Sequence, residues 1–200
     1  MLLERESPLA SLSEYAAGAG RGDGRLVLIS GEAGVGKSAL IEQLAVDRPD
    51  ARWSWGSCDG LFTPRPLGPL FDIAEQLGGD LLRLCRERRP RDDLFRSLLR
   101  TVSESGTLDV VVFEDMHWAD EATVDLLRFL GRRLRTASVL LIASYRDDAP
   151  PAADPLRIAL GELSGQRSTR RIGLAPLSAA GTAKLAEGSG LDPAQLHDLT

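Results

Sequence analysis

Residues 26–41 read Leu26-Val27-Leu28-Ile29-Ser30-Gly31-Glu32-Ala33-Gly34-Val35-Gly36-Lys37-Ser38-Ala39-Leu40-Ile41. The four apolar residues at the start predict a buried strand, and the pattern after Gly36 predicts a helix. Between them the spacing G-x-x-x-x-G-K-S is that of the phosphate-binding P-loop. In such a loop, successive backbone N–H groups point at an anion in front of a helix N-terminus. The alternative is a glycine-rich turn that binds no ligand.

The P-loop pattern predicts a separate task for each kind of residue. Glycines at 31, 34 and 36 allow backbone angles and a close approach that a Cβ atom would block. Lys37 is predicted to reach the β- and γ-phosphates, and the Ser38 hydroxyl to take a position in the Mg²⁺ shell. The whole segment from Gly31 to Ala39 is therefore a predicted nucleotide-binding segment.

The composition is that of a globular protein. The chain has 200 residues, of which 43% are hydrophobic and 26% charged, enough for one domain with a real core. Its net charge of −5 argues against a nucleic-acid-binding face within these residues. No apolar run approaches the roughly 18 residues that indicate a membrane span. The early charges of Glu4-Arg5-Glu6 are incompatible with a signal peptide, and we expect a cytoplasmic protein with Cys58 and Cys85 as free thiols.

Strand and helix patterns alternate along the chain, which predicts a parallel sheet covered on both faces. The predicted strands are about 25–29, 52–58, 108–113, 138–143 and 169–174. Helices are predicted up to residue 17, at 37–47, 70–77, within 80–104, after Asp120, at 155–163 and after Pro176. Residues 18–24 are expected to form a flexible connection because four of them are glycine. The arginines in 83–100 are either a solvated helix face or a contact surface for an acidic partner.

Two acidic residues follow the third predicted strand. Because ligands lie outside the carboxyl ends of parallel strands, Glu114 and Asp115 are expected at the same sheet edge as the P-loop. An apolar strand followed by two acids is the Walker B pattern: one carboxylate takes part in the Mg²⁺ shell and the other positions the attacking water. Asp115 is the preferred base, since unlike His117 it needs no tuning to be ionised. The alternative is a pair of surface acids at the start of a loop.

The residues beyond these acids leave two further questions open. His117 and Trp118 either line the γ-phosphate region or brace the loop. Arg146, which follows the fourth strand, is placed to contact the γ-phosphate, because the guanidinium group donates two hydrogen bonds in a fork. The alternative for Arg146 is an ion pair with Asp147 or Asp148.

Several short motifs occur along the chain in a fixed order. They are Leu3-Glu4-Arg5-Glu6, Gly31–Ser38, Cys58-Asp59, Pro66-Leu67-Gly68-Pro69, Glu114-Asp115-Met116-His117-Trp118-Ala119-Asp120, Tyr145-Arg146 and Leu174-Ala175-Pro176-Leu177-Ser178. Together they resemble the ATPase module of large ATP-binding LuxR-type (MalT-like) transcriptional regulators. These regulators belong to the STAND class of signal-transduction NTPases, which are relatives of the AAA+ proteins.

The resemblance implies roles for individual residues. The segment around Arg5 resembles a motif on the adenine side of the nucleotide, and Pro176 resembles a lid proline near the base. Glu114 and Asp115 resemble Walker B, with Asp115 also near the metal, and Arg146 resembles a sensor. The sequence departs from the family at Glu114, where Asp is common, and at Glu4, where Gly is usual. ATP, rather than GTP, and Mg²⁺ are the implied ligands.

The expected fold is α/β, a P-loop NTPase with a five-stranded parallel sheet in the order 5-1-4-3-2 and helices on both faces. Residues 1–175 are the predicted ATPase core, and residues 176–200 the start of a truncated helical lid. We expect downstream regulatory domains in a longer protein, with DNA contacted only through one of them. Three functions remain open: a slowly hydrolysing regulatory switch, a faster AAA+ ATPase completed by an arginine such as Arg132, Arg133 or Arg135, and an interaction module without turnover.

Overall fold

The computed structural model describes residues 2–60, 65–147 and 154–187. Within them one sheet has five strands: β1 (Arg25–Ser30), β2 (Arg52–Ser57), β3 (Asp109–Glu114), β4 (Val139–Tyr145) and β5 (Thr169–Gly173). Their order is β2-β3-β4-β1-β5, and every neighbouring pair is parallel. This is the predicted order 5-1-4-3-2 counted from the other edge, so the predicted fold class is confirmed.

Eight helices of the described segments cover the sheet. They are α1 (Glu6–Gly20), α2 (Lys37–Asp47), α3 (Gly68–Leu77), α4 (Gly79–Arg86), α5 (Arg91–Ser103), α6 (Glu121–Gly131), α7 (Pro155–Ser164) and α8 (Ala179–Ala186). None of these helices has both the length and the apolar character that crossing a membrane requires. The part of the predicted lid beyond residue 187 lies outside the described residues.

The core has two parts, one on each face of the sheet. Successive residues of a strand point to opposite faces, so Leu26 and Leu28 pack with residues of α3 to α7, whereas Val27 and Ile29 pack with residues of α1 and α2. All seven residues of β4 are buried. Continuous apolar runs in the sequence therefore correspond to strands that are buried on both faces, as predicted.

The flexible connection predicted for residues 18–24 is wrong for its first half. Helix α1 continues to Gly20, and Gly18 and Ala19 are buried in it. Glycine has a low helix propensity, but burial against neighbouring elements overrides that weak preference. The turn itself is confined to residues 21–24, where Gly22 has a φ of 88°.

Three chain segments lie together at the carboxyl ends of the strands. Strands β1, β4 and β3 are adjacent, and the last residue of β1, Ser30, pairs in register with the last residue of β4, Tyr145. Glu114 is the last residue of β3. The segments that follow β1, β3 and β4 consequently lie side by side at the carboxyl edge of the sheet.

Candidate functional site

The loop after β1 requires its glycines. Gly31, Gly34 and Gly36 have φ angles of 152°, 75° and 93°, which side chains with a Cβ atom rarely adopt. At Gly31 an added Cβ would also lie 2.7 Å from the carbonyl oxygen of Leu174. Gly36 is the N-cap of α2, so the loop leads directly into a helix N-terminus that can bind an anion.

Lys37 lies across this loop. Its ammonium group donates to the carbonyl oxygens of Gly31 at 2.8 Å and Glu32 at 2.7 Å, and the residue is only 8% exposed. A cavity of about 420 Å³ opens beside it. Its lining residues are Ala33, Gly34, Gly36, Lys37, Ser38, Ala39, Asp115, His117, Trp118 and Arg146. One cavity is thus lined by the P-loop, by the segment that follows β3 and by the segment that follows β4. Two cationic residues, Lys37 and Arg146, are among its lining residues.

Ser38 connects the loop to the end of β3. Its hydroxyl donates a hydrogen bond of 2.6 Å to Oε1 of Glu114. A hydroxyl and a carboxylate are hard oxygen ligands of the kind Mg²⁺ takes, usually together with waters and substrate phosphates. No group of three or more potential metal-binding side chains is found in the described residues. The residues present therefore fit a metal held mainly by a phosphate ligand and water.

Asp115 has a left-handed backbone, with a φ of 54°. Such a conformation is strained for a residue other than glycine, and strain of this kind is concentrated at functional sites. The turn is held by the Asp115 N–H group, which donates to the hydroxyl of buried Ser144 at 3.2 Å. The carboxylate is exposed at the cavity, with its Oδ1 3.9 Å from Nδ1 of His117. The two acids consequently face different partners.

His117 and Trp118 form part of a 3₁₀ turn, and both line the cavity. Their rings lie 5.1 Å apart, and Trp118 is packed so closely against Gly60 that an added Cβ would lie 3.1 Å from it. The contact of Trp118 with Gly60 is of the bracing kind, whereas a place beside a γ-phosphate stays a prediction for this pair.

Asp120 organises the chain after this turn. As the N-cap of α6, it accepts hydrogen bonds from the Ala122 N–H group and the Thr123 hydroxyl. It also accepts a hydrogen bond of 3.1 Å from the N–H group of Leu67. This last contact, which the sequence pattern did not reveal, fixes the proline-rich loop against the site.

Arg146 directly follows β4 and lines the cavity that contains the P-loop. It also contributes to a neighbouring cavity of about 370 Å³ with an apolar floor that includes Leu156 and Leu160. Asp148, one of its two alternative ion-pair partners, lies outside the described residues.

A smaller cavity of about 230 Å³ lies on the other side of the P-loop. It is lined mainly by apolar residues: Leu2, Leu3, Arg5, Gly34, Val35, Gly36, Ala39, Pro176, Leu177 and Leu185. Gly34, Gly36 and Ala39 line both cavities. The P-loop thus has a polar cavity on one side and an apolar cavity on the other, and the second includes Arg5 and Pro176.

Arg5 is buried, at 6% exposure, and its guanidinium group is taken up by backbone oxygens. It donates to the carbonyls of Val35 at 3.0 Å, Ala175 at 2.8 Å and Glu4 at 2.9 Å. Arg5 therefore joins the P-loop to the segment that precedes α8, and it forms part of the wall of the apolar cavity.

Glu4 is a residue of this region to which the sequence pattern assigned no role. Its φ is 55°, and its carboxylate accepts hydrogen bonds from the backbone N–H group of Ser178 at 2.8 Å and from the Ser178 hydroxyl. These two hydrogen bonds lower the pKa of Glu4. The one available signal in the sequence is that Glu4 stands where the resembled family usually has glycine, the residue best suited to a left-handed backbone.

The two cysteines are free, as predicted, and both are buried. Burial, and then the carboxylates of Asp120 and Asp115, raise the pKa of the Cys58 thiol to about 12. The Cys85 pKa is raised as well, by burial and then by Glu75. Neither thiol is suited to act as a nucleophile near neutral pH.

The parallel sheet, the glycine-rich loop before α2 and the strand order define the class as a P-loop NTPase-like domain. Residues 1–142 match the sequence model of the family described as "AAA ATPase domain", and the chain belongs to this family.

Solved structures support the same fold. The chain superposes on Aeropyrum pernix ORC1 in complex with DNA with a TM-score of 0.66 and 17% identity, over 95% of this chain and 50% of that one. Cdc6p from Pyrobaculum aerophilum gives a TM-score of 0.63 at 19% identity, over 94% of this chain and 49% of that one. A STAND protein with a tetratricopeptide repeat sensor from Pyrococcus horikoshii gives a TM-score of 0.58 at 19% identity, over 99% of this chain and 27% of that one.

A relative is also found at the level of sequence. An uncharacterized protein of Rhizobium meliloti is 30% identical over an alignment of 217 positions, which includes 84% of this chain. The chain spans 21% of the length of that relative.

Proposed function

We propose that this domain binds ATP together with Mg²⁺, hydrolyses the ATP slowly, and acts as the nucleotide-dependent switch of a LuxR-type transcriptional regulator in the cytoplasm. The observation that carries the proposal is the pair of cavities around the P-loop. One offers cationic and acidic side chains for a triphosphate, and the other offers apolar walls for a base.

In the polar cavity, Lys37 and the backbone N–H groups of residues 31–39 bind the phosphates. Ser38, Glu114 and Asp115 would hold the metal, which would supply positive charge to neutralise the transferred phosphate. Asp115 orients the attacking water and accepts its proton, since its carboxylate is exposed at the cavity. Arg146 contacts the γ-phosphate and so distinguishes the triphosphate from the diphosphate.

Slow turnover is favoured over fast turnover by the surroundings of the candidate arginine fingers. A fast AAA+ enzyme would present a free arginine to a neighbouring copy. Here Arg132 donates to Glu162 at 2.9 Å. Arg133 lies over the ring of Phe129 at 4.0 Å and donates to its carbonyl oxygen. Two of the three candidates are thus engaged within the chain.

The switch role is supported by Arg5, which contacts both the P-loop and the residue before Pro176. We assign residues 1–175 to the ATPase core and 176–200 to the start of a lid whose position depends on the bound nucleotide. The link to transcription rests on the motif run ending in His117-Trp118-Ala119-Asp120 and on the likeness to a STAND fold. Downstream domains would then sense the signal and contact DNA, because this segment has a net charge of −5.

Single-turnover hydrolysis at saturating Mg-ATP tests the proposal. We expect measurable turnover well below about 1 s⁻¹, the lower end of the ordinary enzyme range. A faster rate would contradict the switch. Tight ATP binding without any hydrolysis would favour an interaction module instead. Preferential binding of GTP over ATP in a competition experiment would contradict adenine as the preferred nucleobase.

A further inference from the structure

We propose that Glu4 is a latch that holds α8 over the apolar end of the nucleotide cavity and so determines how long a nucleotide stays bound. This inference rests on the nucleotide-binding function proposed above and adds to it a positioning residue. The latch consists of the Glu4 carboxylate on one side and Ser178 and Gly181, at the N-terminus of α8, on the other.

The contact caps α8 from outside the helix. The Ser178 hydroxyl is the side-chain N-cap, accepting a hydrogen bond of 3.1 Å from the Gly181 N–H group. Glu4 in turn accepts from the hydroxyl and from the backbone N–H group of the same serine. A negative charge next to a helix N-terminus is stabilising because it faces the positive end of the helix dipole. Glu4 therefore acts on the position of the whole helix through two hydrogen bonds and its charge.

The approach is possible only because residue 181 is glycine. A Cβ atom at that position would lie 2.6 Å from Oε1 of Glu4 and 2.8 Å from its carboxyl carbon. Glu4 in addition has a left-handed backbone, with a φ of 55°, which is unfavourable for glutamate. The contact thus combines an unfavourable backbone angle at Glu4 with a close approach at Gly181. A specific role explains this combination better than a chance surface contact does.

The latch closes the cavity from the side opposite the P-loop. Leu3 and Arg5, on either side of Glu4, line the apolar cavity, as do Leu177 and Leu185 from the lid segment. Arg5 holds its own segment to the P-loop through the Val35 carbonyl. Releasing the Glu4 carboxylate would therefore free α8 to move away without disturbing the phosphate-binding loop.

Glu4→Gly is the first test, because glycine adopts the same φ without strain while the side chain that carries the carboxylate is removed. We expect N-methylanthraniloyl-ATP to dissociate about tenfold faster, as the charge-assisted hydrogen bonds at a helix N-terminus are removed. Amide hydrogen exchange at Gly181 and Thr182 should accelerate in the nucleotide-free protein. Arg88→Gly is the matched control: Arg88 also has a left-handed backbone, with a φ of 52°, but lies just after α4. It should leave both measurements unchanged.

Gly181→Ala disrupts the latch from the α8 side. The latch and helix propensity predict opposite changes in the rate of amide exchange in α8 for this variant. Propensity alone predicts that alanine strengthens α8 and slows its exchange. The latch predicts faster exchange and faster nucleotide release, because the new methyl group displaces the Glu4 carboxylate. In a Glu4→Gly background the same substitution should instead slow the exchange.

The outcomes separate this proposal from the function on which it rests. Unchanged exchange in α8 of the Glu4→Gly variant overturns the latch, whatever the nucleotide does. Faster exchange with unchanged dissociation overturns its role in nucleotide retention. If the wild-type protein fails to bind N-methylanthraniloyl-ATP and also ATP in a calorimeter, the nucleotide-binding function is contradicted, while accelerated exchange in Glu4→Gly still supports the contact itself.

Discussion

Among single residues, Lys37 has the most clearly defined chemistry. Its ammonium group is almost fully buried and donates to two carbonyl oxygens of its own loop. These contacts hold it at the mouth of the polar cavity, where a phosphate could take over one of the hydrogen bonds. The side chain is thus preorganised for an anion, and little rotamer entropy remains to be lost when one binds.

Replacing Lys37 with alanine should weaken Mg-ATP binding by about 10- to 100-fold, because a hydrogen bond from a charged donor contributes roughly 1.5–3 kcal/mol. Isothermal titration calorimetry measures the change. Lys184→Ala removes the other lysine of the chain, which is exposed on α8, and should bind ATP normally. Normal binding by Lys37→Ala would show that the P-loop assignment is wrong.

The division of labour between the two acids after β3 can be tested by isosteric amides. Asparagine tolerates a left-handed backbone, so Asp115→Asn should fold and bind ATP while its hydrolysis falls by about 100-fold or more. Glu114→Gln should instead raise the Mg²⁺ concentration needed for binding, since Glu114 is hydrogen-bonded to Ser38. Unchanged single-turnover hydrolysis in Asp115→Asn would transfer the role of base to Glu114 or His117.

Cys58 should be inert in the folded protein. Its pKa is raised to about 12, first by burial and then by nearby carboxylates, so the thiol stays protonated at pH 8 and only the thiolate is nucleophilic. We expect alkylation by iodoacetamide at pH 8 to occur only after denaturation, as measured by mass spectrometry. Modification of native Cys58 at the rate of a free thiol would contradict the buried environment.

Among the elements, the turn from α1 to β1 depends on a close approach. A Cβ atom at Gly24 would lie 1.8 Å from the carbonyl oxygen of Leu134 and 2.7 Å from that of Ala137. The start of β1 is therefore packed backbone to backbone against the segment that precedes β4, which aligns the two strands that lead to the site.

Gly24→Ala should lower the free energy of unfolding by about 2–3 kcal/mol, the usual cost of overpacking, because backbone atoms must move. Urea denaturation measures the loss. Gly161→Ala in α7 is the control, since an added Cβ there meets nothing within 4 Å. Alanine inside that helix should stabilise the protein by up to about 1 kcal/mol. Equal stability of the two variants would contradict the close contact at Gly24.

Elements and site differ in how far the sequence predicts them. The strands were predictable because they are continuous apolar runs, and the P-loop because its chemistry lies within eight neighbouring residues. The end of α1 was not predictable from the sequence, because its glycines are helical only through tertiary packing. The left-handed backbone of Asp115 was not predictable, and neither was the contact of Glu4 with Ser178, a residue 174 positions away. A linear pattern contains neither kind of information.

At the scale of the whole molecule, several arginines of residues 83–100 form ion pairs with acidic side chains of the same chain. Arg83 pairs with Asp80 and Glu87, Arg86 with Glu75, and Arg89 with Asp93. Exposed pairs of this kind contribute little to stability, about 0–1 kcal/mol each. Their number indicates a solvated helix face for residues 83–100, away from the P-loop cavities, rather than a strongly basic surface.

The hydrogen bonds of Arg5 to Val35 and Ala175 bear on the order in which the protein folds during synthesis. Its guanidinium group spans 170 positions of sequence to reach Ala175, so the apolar cavity cannot be completed until nearly the entire core has left the ribosome. The P-loop, by contrast, emerges among the first 40 residues. During synthesis the nascent chain would hold a phosphate-binding loop long before it could enclose a base. On the proposed nucleotide-binding function, a nucleotide would therefore be fully retained only after Ala175 has emerged and bound Arg5.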